Sequence, residues 1–158
     1  MSSTVAHAMS ASWIAVTFAQ VKPDEPLYIL AALISASMLD LDHLLYAIKD
    51  RGLYQQLGYK GNLHHARSVF HELFGLLAVG VLSGLLFFAD PKLAQVIFIA
   101  FAIHVTQDWV MGKSCPLSPI DNTEVQLFSL TFKQKVLIDI VIVILFGGLW
   151  NLYLVGQV

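Results

Sequence analysis

From Leu73 to Ala89 the chain reads LFGLLAVGVLSGLLFFA, without a single charged side chain. In lipid a run of this kind satisfies its backbone polar groups only as a helix, and about 20 such residues cross a bilayer. Five stretches are predominantly apolar in the same way, at 4–21, 27–48, 69–89, 93–111 and 135–155. The first is the weakest, being short and rich in Ser, Thr and Ala. KPDEP at 22–26 and ADPK at 89–92 interrupt the runs with Pro and charge. The pattern predicts an all-α fold, a polytopic membrane helix bundle of about five transmembrane helices forming one integral-membrane domain over residues 1–158.

Charge supply agrees. Only 13% of residues are charged and 57% are hydrophobic, whereas soluble domains carry roughly a quarter charged residues. A net charge of −2 gives no reason to expect a nucleic-acid partner. The single Cys115 excludes an intrachain disulfide framework and a cysteine-rich zinc site. The opening MSSTVAHAMS lacks the cationic segment of a secretory signal.

Alternating the connections across the bilayer puts Lys49, Arg51, Lys60, Arg67, Lys113, Lys133 and Lys135 on one side and Lys22 and Lys92 on the other. The richer side is expected to be cytoplasmic, with the N-terminus in, in a multi-pass protein of the cell inner membrane. On that topology His7, Asp40, Asp42, His43, His64, His65, Arg67, His71, Glu72, His104 and Asp108 all fall towards the cytoplasmic face. An active site facing the cytoplasm is the expectation.

His104 and Asp108, in HVTQD, stand four residues apart, so their Cβ atoms lie about 5–6 Å apart on one helix face. They can ligate one ion, or the carboxylate can orient the ring; a His–Asp hydrogen bond stapling helices is the plainer alternative. An ionisable side chain in lipid costs roughly 2.5–3.5 kcal/mol, which argues against decoration. In DLDH, Asp40 and His43 can face together while Asp42 points elsewhere. A helix end meeting headgroups would more naturally carry Lys or Arg there. In HHARSVFHE, residues 64 to 72, His64 and His71 on one continuous helix would stand ~10 Å apart. A loop before Ser68 would let His64 or His65 join His71. Nitrogen and carboxylate donors without thiolate suit zinc, manganese or iron, and such an ion lowers the pKa of bound water to about 7. Trp13, Trp109 and Trp150 read as an interfacial belt, and Asp139 as an interface or supporting residue.

The order of a His near the N-terminus, D-x-D-H, an Arg four before a His, H-x-x-x-D and a Pro-containing loop resembles the YdjM-like membrane-bound metal-dependent hydrolases. These are inner-membrane proteins distantly similar to zinc-dependent phospholipases C, and the likeness runs from His7 to about Pro119. It implies His7, Asp40, Asp42, His71, His104 and Asp108 as ligands, with Arg67 preceding the second histidine. The family's usual His directly before that Arg is Ala66 here, so His65 or His64 takes its place; His65 is carried as the ligand. Glu72 stands where a small hydroxyl residue is typical, as an extra ligand or general base.

The expected function is metal-dependent hydrolysis of a phosphate or ester bond in a lipid or other membrane-associated substrate. One or more divalent ions, zinc first and manganese or iron as alternatives, would activate water. Glu72 or an Asp would relay protons and Arg67 would neutralise substrate charge. The competing readings are a metal-ion or proton transporter and a di-iron histidine-box oxidase. Helices with nearly apolar outer halves favour a blind pocket over a pore.

Overall fold

The computed structural model describes residues 4–41, 48, 52 and 69–156. Among the described residues five α-helices carry the fold: α1 Thr4–Phe18, α2 Pro26–Ser37, α3 Leu73–Leu86, α4 Pro91–Met111 and α5 Phe132–Leu154. Short 3-10 turns, Met38–Asp40 and Val69–His71, extend α2 and precede α3. Two strands of two residues, β1 Lys113–Ser114 and β2 Val125–Gln126, pair antiparallel within the loop after α4.

The helix starts follow from local chemistry. Pro26 and Pro91 occupy first-turn positions, where a missing N–H costs nothing. The Asp90 carboxylate accepts the Leu93 N–H, and Thr131 with Gln134 forms a reciprocal capping box for α5. Gln20 adopts a left-handed φ of 51° in the tight turn that closes α1.

Polar residues in α1 do not prevent its burial. The Ser10 hydroxyl donates to the Ala6 carbonyl, that of Ser12 to Ala8 and that of Thr17 to Trp13, so each is satisfied within its own helix. Small side chains then allow close approach: Ala11, Ala15, Ala32, Ala36 and Ala100 pack with Val16 and Val96 where α1, α2 and α4 meet. A second cluster of Leu39, Phe101 and Val105, covered by Leu76, Val79 and Trp109, joins α3 to α4. Helix α5 leans on α1, where the Trp150 indole donates to the Met9 carbonyl at 3.0 Å and the Tyr153 hydroxyl to the Val21 carbonyl at 2.8 Å.

Polar ties close the end of the bundle where α1 finishes and α2 and α4 begin. The Lys92 ammonium reaches both Glu25 oxygens at 3.0 Å, and the Tyr28 hydroxyl donates to Asp90 at 3.1 Å. The Lys22 backbone N–H, then the Lys92 ammonium, hold the Glu25 carboxyl below its ordinary range. In the loop after α4, the Thr123 hydroxyl and N–H do the same for Asp121.

The five helices lie where the apolar runs placed them, but the expectation of about five spans needs correction. Among the described residues two helices, α4 and α5, are long and apolar enough to cross a membrane. At 15, 12 and 14 residues α1, α2 and α3 fall short; at about 1.5 Å per residue they cover much less than the ~30 Å of hydrocarbon. Both α2 and α3 are cut by 3-10 turns at polar positions that hydropathy had absorbed into longer runs. The tryptophans read as a belt also brace the interior: Trp109 and Trp150 donate to Glu72 and Met9.

The turn before α3 depends on Gly75. A Cβ at that position would collide with the Phe70 backbone, whereas Gly84 has open space around it. Gly75→Ala is expected to cost about 1–3 kcal/mol by overpacking, read as a lower melting temperature in detergent. Gly84→Ala is expected to leave that temperature unchanged or slightly raised.

Candidate metal centre

Four elements deliver five donors to one place. His7 comes from the first turns of α1, Asp40 from the 3-10 turn after α2, His71 from the 3-10 turn before α3, and His104 and Asp108 from adjacent turns of α4. The three imidazoles are fully buried, the Asp108 side chain is 1% exposed and that of Asp40 7%. From His7 Nε2 to Asp108 Oδ1 is 3.5 Å, and from His71 Nε2 to Asp108 Oδ2 is 3.8 Å. His104 Nε2 lies 3.7 Å from both Asp108 Oδ2 and Asp40 Oδ1. The His7 and His104 rings stack at 4.2 Å, and the His71 ring stands 5.7 Å from that of His104.

These separations are long for hydrogen bonds. They suit donors around an ion instead: two ligands of a tetrahedral zinc at about 2.0–2.1 Å stand roughly 3.4 Å apart. His7, His104 and Asp108 form one group whose ligand atoms all lie within 4.8 Å, and Asp40, His71 and His104 form another. His7 Nε2, His104 Nε2 and Asp40 Oδ2 are buried with no hydrogen-bond partner among the described residues. Leaving such atoms unsatisfied costs about 1–3 kcal/mol each, so a divalent cation fits the donor set that is present.

The backs of the rings explain their aim. His104 Nδ1 lies 2.6 Å from the Ala36 carbonyl oxygen, which can only accept, so Nδ1 carries the proton and Nε2 the lone pair. Ala36 sits in the last turn of α2, where carbonyls lose their usual helical donors. His7 is oriented by a relay. Ser10 donates to Ala6, so its oxygen accepts from Gln107 Nε2 at 2.7 Å. That turns Gln107 Oε1 towards His7 Nδ1 at 2.9 Å, and Nε2 again faces the cluster.

Glu72 is placed differently from a group poised over water. Its Oε1 accepts the Cys115 N–H at 2.8 Å and its Oε2 the Trp109 indole N–H at 3.1 Å. Together with the Leu73 N–H to Pro116 carbonyl bond at 3.3 Å, this fastens the turn bearing His71 to α4 and its following loop. Asp139 lines a groove on α5 with Val136, Ile140, Val143 and Ile144. Asp42, His43, His64, His65 and Arg67 lie outside the described residues.

Of the residues singled out by sequence, His7, Asp40, His71, His104 and Asp108 are therefore brought together. Gln107 was missed, although an amide between two candidate ligands in an apolar helix is a legible signal.

The family model for the YdjM inner membrane protein matches residues 1–157. The chain belongs to that family. No curated protein and no solved structure matches it. Membership makes this YdjM family chain an inner-membrane protein, in keeping with the two apolar helices long enough to cross a bilayer.

Gln107→Leu removes the acceptor behind His7 and is expected to weaken metal binding about 10–100-fold, the usual effect of losing an orienting partner. Gln107→Glu keeps an acceptor and should retain more of the affinity. Competition with a fluorescent zinc chelator reads both.

Proposed function

We propose that this chain is a membrane-embedded, metal-dependent hydrolase of phosphate or ester bonds in lipids or other membrane-associated substrates. The observation that carries the reading is the convergence of three imidazole Nε2 atoms and two carboxylates on one buried point, with two rings tied from behind. His104 is common to both ligand groups, and with Nδ1 bound to the Ala36 carbonyl its one free lone pair, at Nε2, serves one ion. The two groups thus form a single donor set for one ion. Zinc suits three nitrogens and carboxylate oxygens best, with manganese or iron as alternatives.

A divalent ion held there supplies an acidified water and polarises a carbonyl or phosphoryl oxygen. His7, His71 and His104 would hold it through Nε2, with Asp108 beside His7 and His71 and Asp40 joining from the α2 side. Asp40 Oδ2, buried without a hydrogen-bond partner among the described residues, would be free to hold a proton beside such an ion. Glu72 holds the turn of His71 in register, and Arg67 and His65 are assigned to substrate charge and ligation from their sequence positions. The balance of Lys and Arg favours a multi-pass protein with the N-terminus and the site on the cytoplasmic side.

A blind site favours an enzyme over a transporter. Beyond the cluster the described helices pack through Ala11, Ala15, Val16, Ala32, Val96 and Ala100, and no line of acidic or histidine side chains continues through that packing. Purified protein loaded with zinc is expected to hold roughly one ion per chain and to cleave p-nitrophenyl phosphate or ester substrates. Chelation should stop turnover and zinc should restore it. His104→Ala should lose both the ion and the turnover, with elemental analysis as the direct readout. Zinc flux into liposomes without turnover would replace the hydrolase by a transporter, and failure of the loaded protein to retain any divalent ion would end both.

A further inference from the structure

Beside the buried cluster lies a cavity of about 430 Å3, lined by Thr4, Ile34, Ser37, Met38, Asp40 and Leu41. Small-molecule sites span roughly 300–1,000 Å3, so its size fits a ligand. Among the described residues Asp40 is its one charged lining residue, and it belongs to both spaces. Oδ1 approaches His104, whereas Oδ2 is buried without a hydrogen-bond partner among the described residues. The cavity is thus separated from the donor set by one carboxylate.

Its other walls decide what can enter. Ile34, Met38 and Leu41 are about half exposed on the outer surface. They continue a stripe of exposed side chains, Leu27, Leu30, Ile34, Met38 and Leu41, spaced three or four residues apart along α2 and its 3-10 turn. Such spacing keeps all five on one side of the element. The stripe therefore leads along α2 to Asp40. Among the described residues no Lys or Arg lines the cavity, so along these walls a free anion meets a carboxylate, two hydroxyls and apolar side chains. A lipid already in the bilayer can lay its chain along the stripe without leaving apolar surroundings, bringing only its polar linkage to the hydroxyls of Thr4 and Ser37 and to Asp40.

We infer that this cavity is a lateral portal for a membrane lipid, whose acyl chain follows α2 and whose ester or phosphoester linkage reaches Asp40. What happens to the lipid there rests on the hydrolase reading; its binding does not.

Photolabelling separates the two. The full chain is placed in nanodiscs of phosphatidylethanolamine and phosphatidylglycerol doped with a phosphatidylcholine bearing a diazirine beside the acyl ester. After irradiation, residues 34–41 are expected to carry roughly tenfold more adducts than the exposed α5 positions Leu137 and Val141, a preference of about 1.4 kcal/mol. Ile34→Trp and Met38→Trp fill the cavity from two positions, and each should remove most of that excess while zinc content stays at the wild-type level. Adducts spread evenly over α2 and α5, or an excess that survives both tryptophans, would overturn the portal. Concentrated labelling without zinc-dependent turnover would keep the portal and overturn the hydrolase.

Discussion

The bond between His104 Nδ1 and the Ala36 carbonyl is the tie on which the rest of the site depends. It sets the rotation of α4 against α2, because a ring on one helix must meet a particular carbonyl on the other. It also fixes the tautomer, so the lone pair at Nε2 faces Asp40 and Asp108. The tie is possible only because Ala32, Ala36 and Ala100 keep the helix backbones close. Larger side chains at those positions would hold α2 away and leave the ring without its acceptor. Packing by small residues is thus upstream of the chemistry.

Polar atoms elsewhere in the bundle are handled differently. The hydroxyls of Ser10, Ser12 and Thr17 fold back onto their own helix, and charges at the far end pair across helix starts. Trp13 Nε1 and Ser83 Oγ are isolated exceptions. Among the described residues, only at the cluster do several unsatisfied atoms face one another across a shared space. In a chain this poor in charge, that concentration has a large desolvation cost unless a cation offsets it. The same argument explains the relay through Gln107, which uses up the second nitrogen of His7 and leaves a single direction for binding.

Much of this was legible in the sequence. Periodicity and Pro-marked breaks located all five helices, and i, i+4 spacing paired His104 with Asp108. Alternating the connections also put the remaining donors at the same end. Helix ends were not legible, because an apolar run gives no sign that Ser37 or Glu72 will interrupt it. The role of Glu72 was hidden for a related reason. A carboxylate beside a ligand histidine reads as chemistry, yet its donors come from Trp109 and Cys115, distant in sequence. Gly75 carried a readable signal of close approach, but its partner, the Phe70 backbone, becomes visible only once the turn before α3 is formed.

The interruptions that shorten α2 and α3 are themselves part of the site. Were α2 to continue regularly through residue 40, the Ala36 carbonyl would be directed along the axis to the residue 40 N–H instead of towards His104. Were α3 to begin earlier, His71 would follow the helical path rather than fold under α4 beside Asp108. Irregular backbone in an apolar bundle is tolerated where it is buried in protein or lines a cavity. Both 3-10 turns meet that condition, one burying His71 and the other supplying Asp40 to a cavity wall. The loss of helical length and the gain of a convergent donor set are therefore one structural choice, and a chain with five uninterrupted spans could not make it.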